Sequence, residues 1–187
     1  MDPRILLDTL KVAERLKDTT RHCYTSKGRH ESVAEHCFMA ALMAFFLRDE
    51  FPDVDMDKVI KMCLIHDLGE CFIGDIPSFN KEKIHEELEE QLLHEWTTSL
   101  PAPYCEEMTA LYAEMNALST TEAKIYKAID NMEAVMQHNL SDISTWIPIE
   151  YDLNLTYGDE KVSFSPYLTN LRHEIRKDTI TKITPNT

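Results

Sequence analysis

Apolar residues in this chain recur at every third or fourth position and seldom at every second one, which restricts it to folds built from helices. Val59, Cys63 and His66 fall on one helical face, as do Ile84, Leu88, Leu92 and Trp96, and as do Ile125, Ile129, Met132 and Val135. Glycine is correspondingly scarce, with 4 in 187 residues, and valine and isoleucine rarely alternate with polar residues as a half-buried strand requires. The chain therefore reads as all-α, a single-domain helical bundle long enough to bury a core without staples.

Local signals mark out the helices. A first helix is expected from Ile5 to Lys17, with Leu6, Leu10, Ala13 and Leu16 as its inner stripe. A basic, irregular stretch from Arg21 to His30 follows. Ser32-Val33-Ala34-Glu35 is a capping box, which opens a helix reaching Leu47. A third helix should run from Asp55 to Asp67, so that His66 continues its buried stripe. Gly74-Asp75-Ile76-Pro77 reads as a turn. A long charged helix carries Ile84 to Trp96, and Pro101 and Pro103 end it. Another helix covers Tyr104 to Leu118, and Ser119-Thr120-Thr121-Glu122 reads as a second capping box for one reaching His138. From Ser141 to Ser163, Pro148, Gly158 and several Asp and Asn residues suggest a long loop or lid. Ser165-Pro166 then starts a last helix, followed by a polar tail.

Charge and cysteine usage narrow the function. With 33 acidic against 19 basic residues the net charge is −14, a surface that repels phosphate backbones and argues against binding a nucleic-acid polymer. A small phosphorylated ligand remains compatible, because one cation and a few basic groups reverse the field inside a cleft. Five cysteines, an odd number without Cys-x-x-Cys spacing, fit reduced thiols. Neither a signal peptide nor a membrane-spanning run is visible, so a cytoplasmic protein is expected.

The residues that stand out chemically are His36, His66, Asp67 and Asp130, on three separate helices and each near a core-facing stripe. An imidazole and a carboxylate at the edge of a core are unfavourable without a partner. Two imidazoles and two carboxylates together suit a divalent transition metal. Taken singly, each has a plainer reading. His66-Asp67 could cap a helix end, Asp130 could pair with Lys127 three residues earlier, and Asp75 could bond its own turn.

The order of the motifs adds to this. His36, then His66-Asp67, then Asp130 resembles the HD-domain metal-dependent phosphohydrolases. Glu31-Ser32-Val33-Ala34-Glu35-His36, His66-Asp67-Leu68-Gly69-Glu70, Gly74-Asp75-Ile76-Pro77 and Lys127-Ala128-Ile129-Asp130 look like the small 5′-deoxynucleotidase branch, over roughly residues 5–140. The resemblance implies a helical HD domain that hydrolyses nucleotide phosphates, mono- and also di- or triphosphates, with one divalent ion: cobalt, manganese, magnesium, zinc or iron. It also implies a homodimer. By the same resemblance His36, His66, Asp67 and Asp130 are the metal ligands, and Glu70 is a general acid/base or positions the attacking water. Arg21 and Lys81 bind phosphate, and Asp75 contacts the sugar hydroxyl.

One departure concerns the substrate. The branch commonly carries tryptophan after the arginine, packed on the sugar, where this chain has His22; Tyr24 offers an aromatic wall slightly later. Strict deoxyribose selectivity is therefore not implied. Two alternatives stay open, a non-catalytic nucleotide-binding HD domain and a dinuclear oxygenase or phosphodiesterase. The second would use His85 and His94, which nine residues of helix point to opposite sides, as on a solvated face.

Overall fold

In the computed structural model, residues 1–77 and 79–184 are described, so the end of the polar tail, residues 185–187, lies outside them. The chain order is α1 (Pro3–Ala13), β1 (Thr20–Tyr24), β2 (His30–Ser32), α2 (Val33–Leu47), α3 (Met56–Ile65), α4 (Glu70–Ile73), α5 (Lys83–Thr98), α6 (Tyr104–Ala117), α7 (Thr121–Leu140), α8 (Pro148–Thr156), α9 (Asp159–Val162) and α10 (Pro166–Ile183).

The bundle is organised around α7. Its buried positions include Ile125, Ala128, Ile129, Met132 and Val135, and it packs on α2, α3, α6, α9 and α10. Small residues on α2, Ala40 and Ala44, are fully buried and let α3 approach along its length. Val59, Met62 and Cys63 of α3 fill the space between α2 and α7. A second cluster joins Leu16, Val33, Cys37, Leu68 and Cys71, which seats the start of α2 against α4. No helix among the described residues is long and apolar enough to cross a membrane.

The helix starts are set locally, as their sequences imply. Ser32 accepts from Glu35 N–H while Glu35 reaches back to Ser32 N–H, so the capping box forms. Asp55 caps α3 by accepting from Lys58 N–H at 3.0 Å. At α7 the cap is Thr120, whose hydroxyl accepts from Ala123 N–H, so the helix begins one residue beyond the expected Ser119 box.

Several expectations are corrected. The basic stretch is no irregular loop: β1 and β2 form an antiparallel hairpin, with Thr20 opposite Ser32 and Tyr24 opposite His30 around an irregularity. The first helix ends at Ala13 and tightens into a 3₁₀ turn from Glu14 to Lys17. Its stripe enters the core only at its end, where Leu16 is buried and Ala13 packs beside it, while Leu6 and Leu10 stay exposed. On α5 the inner edge shrinks to Leu92, Leu93 and Trp96, while Ile84 and Leu88 are exposed.

The stretch from Ser141 to Ser163 is mostly helical, in a 3₁₀ turn from Ile143 to Thr145 and in α8 and α9. Its turn-forming residues sit at the ends of these pieces: Pro148 is the first residue of α8 and Gly158 caps α9. Such short helices lack intrinsic stability. Here α10 supplies it from outside, because Arg172 donates to the Asn154 and Tyr157 carbonyls and Arg176 to Leu155.

Gly158 tests this packing. It has φ of +80° and a Cβ there would meet Asn131 Cβ at 2.9 Å, whereas Gly28, at φ +81°, has open space. Gly158→Ala should destabilise by about 2–4 kcal/mol, from backbone strain and overpacking together, and Gly28→Ala by about 1 kcal/mol. Urea unfolding of both variants checks this, and equal losses would show that the α9–α7 contact is not tight.

Candidate metal centre and cleft

Two imidazoles are oriented by groups behind them. His66 follows the last turn of α3, and its Nδ1–H donates to the Cys63 carbonyl at 2.8 Å, one of the acceptors that a helix end leaves unpaired. His36, in the first turns of α2, turns its Nδ1 to Glu133 Oε2 of α7. Both rings then present Nε2 to one point, 3.1 Å apart. Asp130 Oδ1 lies 3.2 Å from His36 Nε2 and 3.6 Å from His66 Nε2. Asp67 Oδ2 lies 3.2 Å from His66 Nε2 and 3.7 Å from His36 Nε2. The other Asp130 oxygen accepts from Lys127 Nζ at 2.7 Å, so the pair expected on a solvated face belongs to the centre.

With both Nδ1 atoms engaged, four lone pairs face each other, two of them on carboxylates. That arrangement repels itself unless a cation lies among them. His36, His66 and Asp67 alone form a donor set whose atoms lie within 4.8 Å of one another. Mixed nitrogen and oxygen donors with supporting outer contacts fit a divalent transition metal. The same field draws in protons: although burial opposes it, the Asp67 carboxylate pushes the His66 imidazole well above its ordinary value.

The centre opens into a cleft of about 350 Å³, lined by His36, Asp67 and Asp130 and by Glu70, Arg21, His22, Asp75 and Lys81, while His66 stands behind it and faces a neighbouring cavity. Glu70 begins α4 after a tight turn in which its N–H donates to the Asp67 carbonyl. Its Oε2 is buried without a hydrogen-bond partner among the described residues. Burial, and then the Asp67, Asp75 and Glu89 carboxylates, push its carboxyl up to about 11. Burial likewise raises Asp75, with Arg21 opposing. Arg21 is held from behind by Glu31 at 2.9 Å and Glu133 at 3.3 Å. Lys81 is tied to Glu89 at 2.7 Å.

The aromatic wall differs from expectation. Tyr24 stacks on His30, with ring centroids 4.0 Å apart, and does not line the cleft. Phe79 lines it instead, edge-on to His22 at 5.7 Å. His94 is exposed and His85 accepts from Glu82 N–H at the start of α5, so neither joins the centre among the described residues.

This geometry meets independent evidence of kinship. Residues 13–172 match the HD-domain family profile. The chain belongs to the HD-domain family. It is similar to the Homo sapiens 5′-deoxynucleotidase HDDC2, 34% identical over 139 residues, which are 72% of this chain and 67% of that protein. It is also similar to the Schizosaccharomyces pombe 5′-deoxynucleotidase hdd1, 29% identical over 68% of each chain. The chain thus spans about two thirds of these relatives' length. A solved structure from Magnetospirillum magnetotacticum MS-1, described as a predicted metal-dependent phosphohydrolase, shares the fold with a TM-score of 0.80 at 24% identity, over 96% of this chain and 93% of that one. A conserved hypothetical protein from Pyrococcus furiosus aligns with a TM-score of 0.69 at 28% identity, over 91% and 99%. Dependence on a divalent metal goes with this HD-domain phosphohydrolase branch.

Sequence reading of this HD domain missed the residues behind the site. Glu133 is fully buried yet charged, and its place three residues after Asp130 on a buried face was the available signal. Glu31 and Glu150 are buried as well, but nothing local to them reveals their partners.

Glu70 yields a pH test. Its folded value of about 11 exceeds its ordinary 4.5, so its stabilising contribution is full below about 4.5 and is lost as pH rises toward about 11. Glu70→Gln keeps a neutral side chain and should flatten the fall in stability of chelator-treated protein between about pH 5 and about pH 9. Thermal unfolding across that range measures it; parallel slopes for the two proteins would contradict the buried neutral carboxyl.

Proposed function

We propose that this HD domain, acting as one unit, removes phosphate from 5′-nucleotides with one divalent metal held by His36, His66, Asp67 and Asp130. The observation that carries the reading is the convergence of four donor atoms at the end of a cleft that also holds a braced arginine and an unpartnered carboxyl. Similarity to 5′-deoxynucleotidases supports a deoxynucleotide as substrate. Cobalt, manganese, magnesium, zinc and iron all suit a donor set of this kind.

A metal bound there supplies Lewis acidity toward a phosphoryl oxygen and lowers the pKa of a water. The chain's own residues do the rest. Arg21, with one nitrogen anchored on Glu31 and Glu133, offers its other N–H groups to phosphate oxygens in a fixed direction. Lys81, shared with Glu89, adds a second positive charge. Glu70 Oε2 has no competing partner, so it is free to hold or pass the proton that moves between the attacking water and the leaving oxygen. Asp75 lines the cleft as a contact for the sugar hydroxyl, and His22 stands where relatives place tryptophan.

Two broader attributes belong to the same proposal. Five free cysteines support a reducing, cytoplasmic setting. Exposed Leu7 and Leu10 on α1 support a homodimer.

The test is phosphate release from mono-, di- and triphosphates of ribo- and deoxynucleosides, after chelation and with single metals added back. Chelation should abolish release and add-back restore it. Asp67→Ala should lose bound metal and turnover together. Glu70→Gln should keep the metal and lose turnover by about 100-fold or more. Absence of release with every metal would leave a binding protein, and full turnover in Asp67→Ala would remove the proposed centre.

A further inference from the structure

The cleft continues past the phosphate end along α7. Asp130 and His138 both line it, and eight residues of helix separate them by about 12 Å along the axis. That span is comparable to the length of a nucleotide. At the His138 end the opposite wall is α8, which carries Glu150 and Asn154 one turn apart, and both line the cleft.

Both side chains are nearly inaccessible, at 1% and 3% exposure, and each has a polar atom without a hydrogen-bond partner among the described residues. Glu150 Oε2 accepts from Ile147 N–H at 2.8 Å, capping α8, and leaves Oε1 over. His22 Nε2 stands 3.1 Å from that oxygen and His138 Nε2 3.5 Å, so the two imidazoles border it. Burial, then Arg21 and His22, pushes His138 down to about 4, so its imidazole is neutral. Asn154 Nδ2, a donor, is equally unpartnered. Unsatisfied buried groups are unfavourable and call for a ligand or water.

We propose that Glu150 and Asn154 form a nucleobase-binding subsite, with His138 and His22 beside them. Oε1 offers an acceptor and Nδ2 a donor on one helix face. Every Watson–Crick edge has a donor next to an acceptor in the plane of a flat ring, which suits this pair beside an apolar wall. Leu153, Tyr157 and Phe79 supply apolar surface for the flat ring in the same cleft. The wall is rigid, because Arg172 and Arg176 of α10 hold the carbonyls of Asn154, Leu155 and Tyr157. This inference rests on the nucleotide reading for the orientation of the ligand.

The experiment measures binding of adenosine, guanosine, cytidine and thymidine to the full chain by calorimetry, with deoxyribose as the base-free control. At least one nucleoside should bind about tenfold tighter than deoxyribose, and Asn154→Leu, similar in size, should weaken that binding about tenfold. In parallel, the side-chain amide resonance of Asn154 in the wild-type protein should shift when the nucleoside is added. This second readout stands even where the variant fails to fold. Nucleosides binding no tighter than deoxyribose, unchanged affinity in the variant, or an unmoved Asn154 amide would each overturn the subsite. Nucleoside binding with no phosphate release from any nucleotide would instead sink the hydrolase reading and leave the subsite standing.

Discussion

Glu133 has no exposed surface, and one of its oxygens is shared between the imidazole of His36 and the guanidinium of Arg21. A carboxylate buried to that depth is tolerable only with strong partners, and removing one partner of such a pair typically costs about 3–5 kcal/mol. The interaction ties three elements, α7, α2 and β1, to a single atom. It also sets two side chains at once, since it aims His36 Nε2 at the cluster of donors and holds Arg21 at the cleft. The hairpin depends on the same link, because Glu31 of β2 holds the same nitrogen of Arg21.

Around that link, helix packing sets the distances. Ala40 and Ala44 let α2 and α3 come close, which brings the Nε2 atoms of His36 and His66 together. The Asp130 face of α7 completes the set because Ile129 and Met132 bury the other side of the same turn. Tyr112 of α6 donates to the Ile65 carbonyl at 2.6 Å and steadies the end of α3 beside His66. Precision here comes from close-packed apolar contacts, and the polar site inherits it.

The electrostatics run against the surface. An acidic chain of net charge −14 repels anions at a distance. Within the cleft Arg21, Lys81 and Lys127 concentrate positive charge beside the cluster of donors. Each is already leashed by a carboxylate, Arg21 by Glu31 and Glu133, Lys81 by Glu89 and Lys127 by Asp130. Fixed charges need no reorganisation when an anion approaches, which is how a preorganised site gains over water.

Much of this was legible locally. Helical periodicity identified the bundle, Ser32 and Asp55 marked where α2 and α3 begin, and the buried stripe of α3 carried His66 to its end. These follow from interactions within a few residues, whereas the order of the four donor motifs was legible as a family resemblance. The pieces between Ser141 and Ser163 were not legible, because α8 and α9 are too short to stand without Arg172 and Arg176. Nor did the apolar stripe of α1 reveal that it stays at the surface. The partners of the site were equally hidden: His36 meets Glu133 across 97 residues and Arg21 meets it across 112. The sequence by itself determined which groups could bind a metal and on which helices they lie. Only the tertiary structure decided that their lone pairs converge, that Phe79 and not Tyr24 faces the cleft, and that Glu150 and Asn154 close its far end, because those contacts arise from packing between segments distant in the chain.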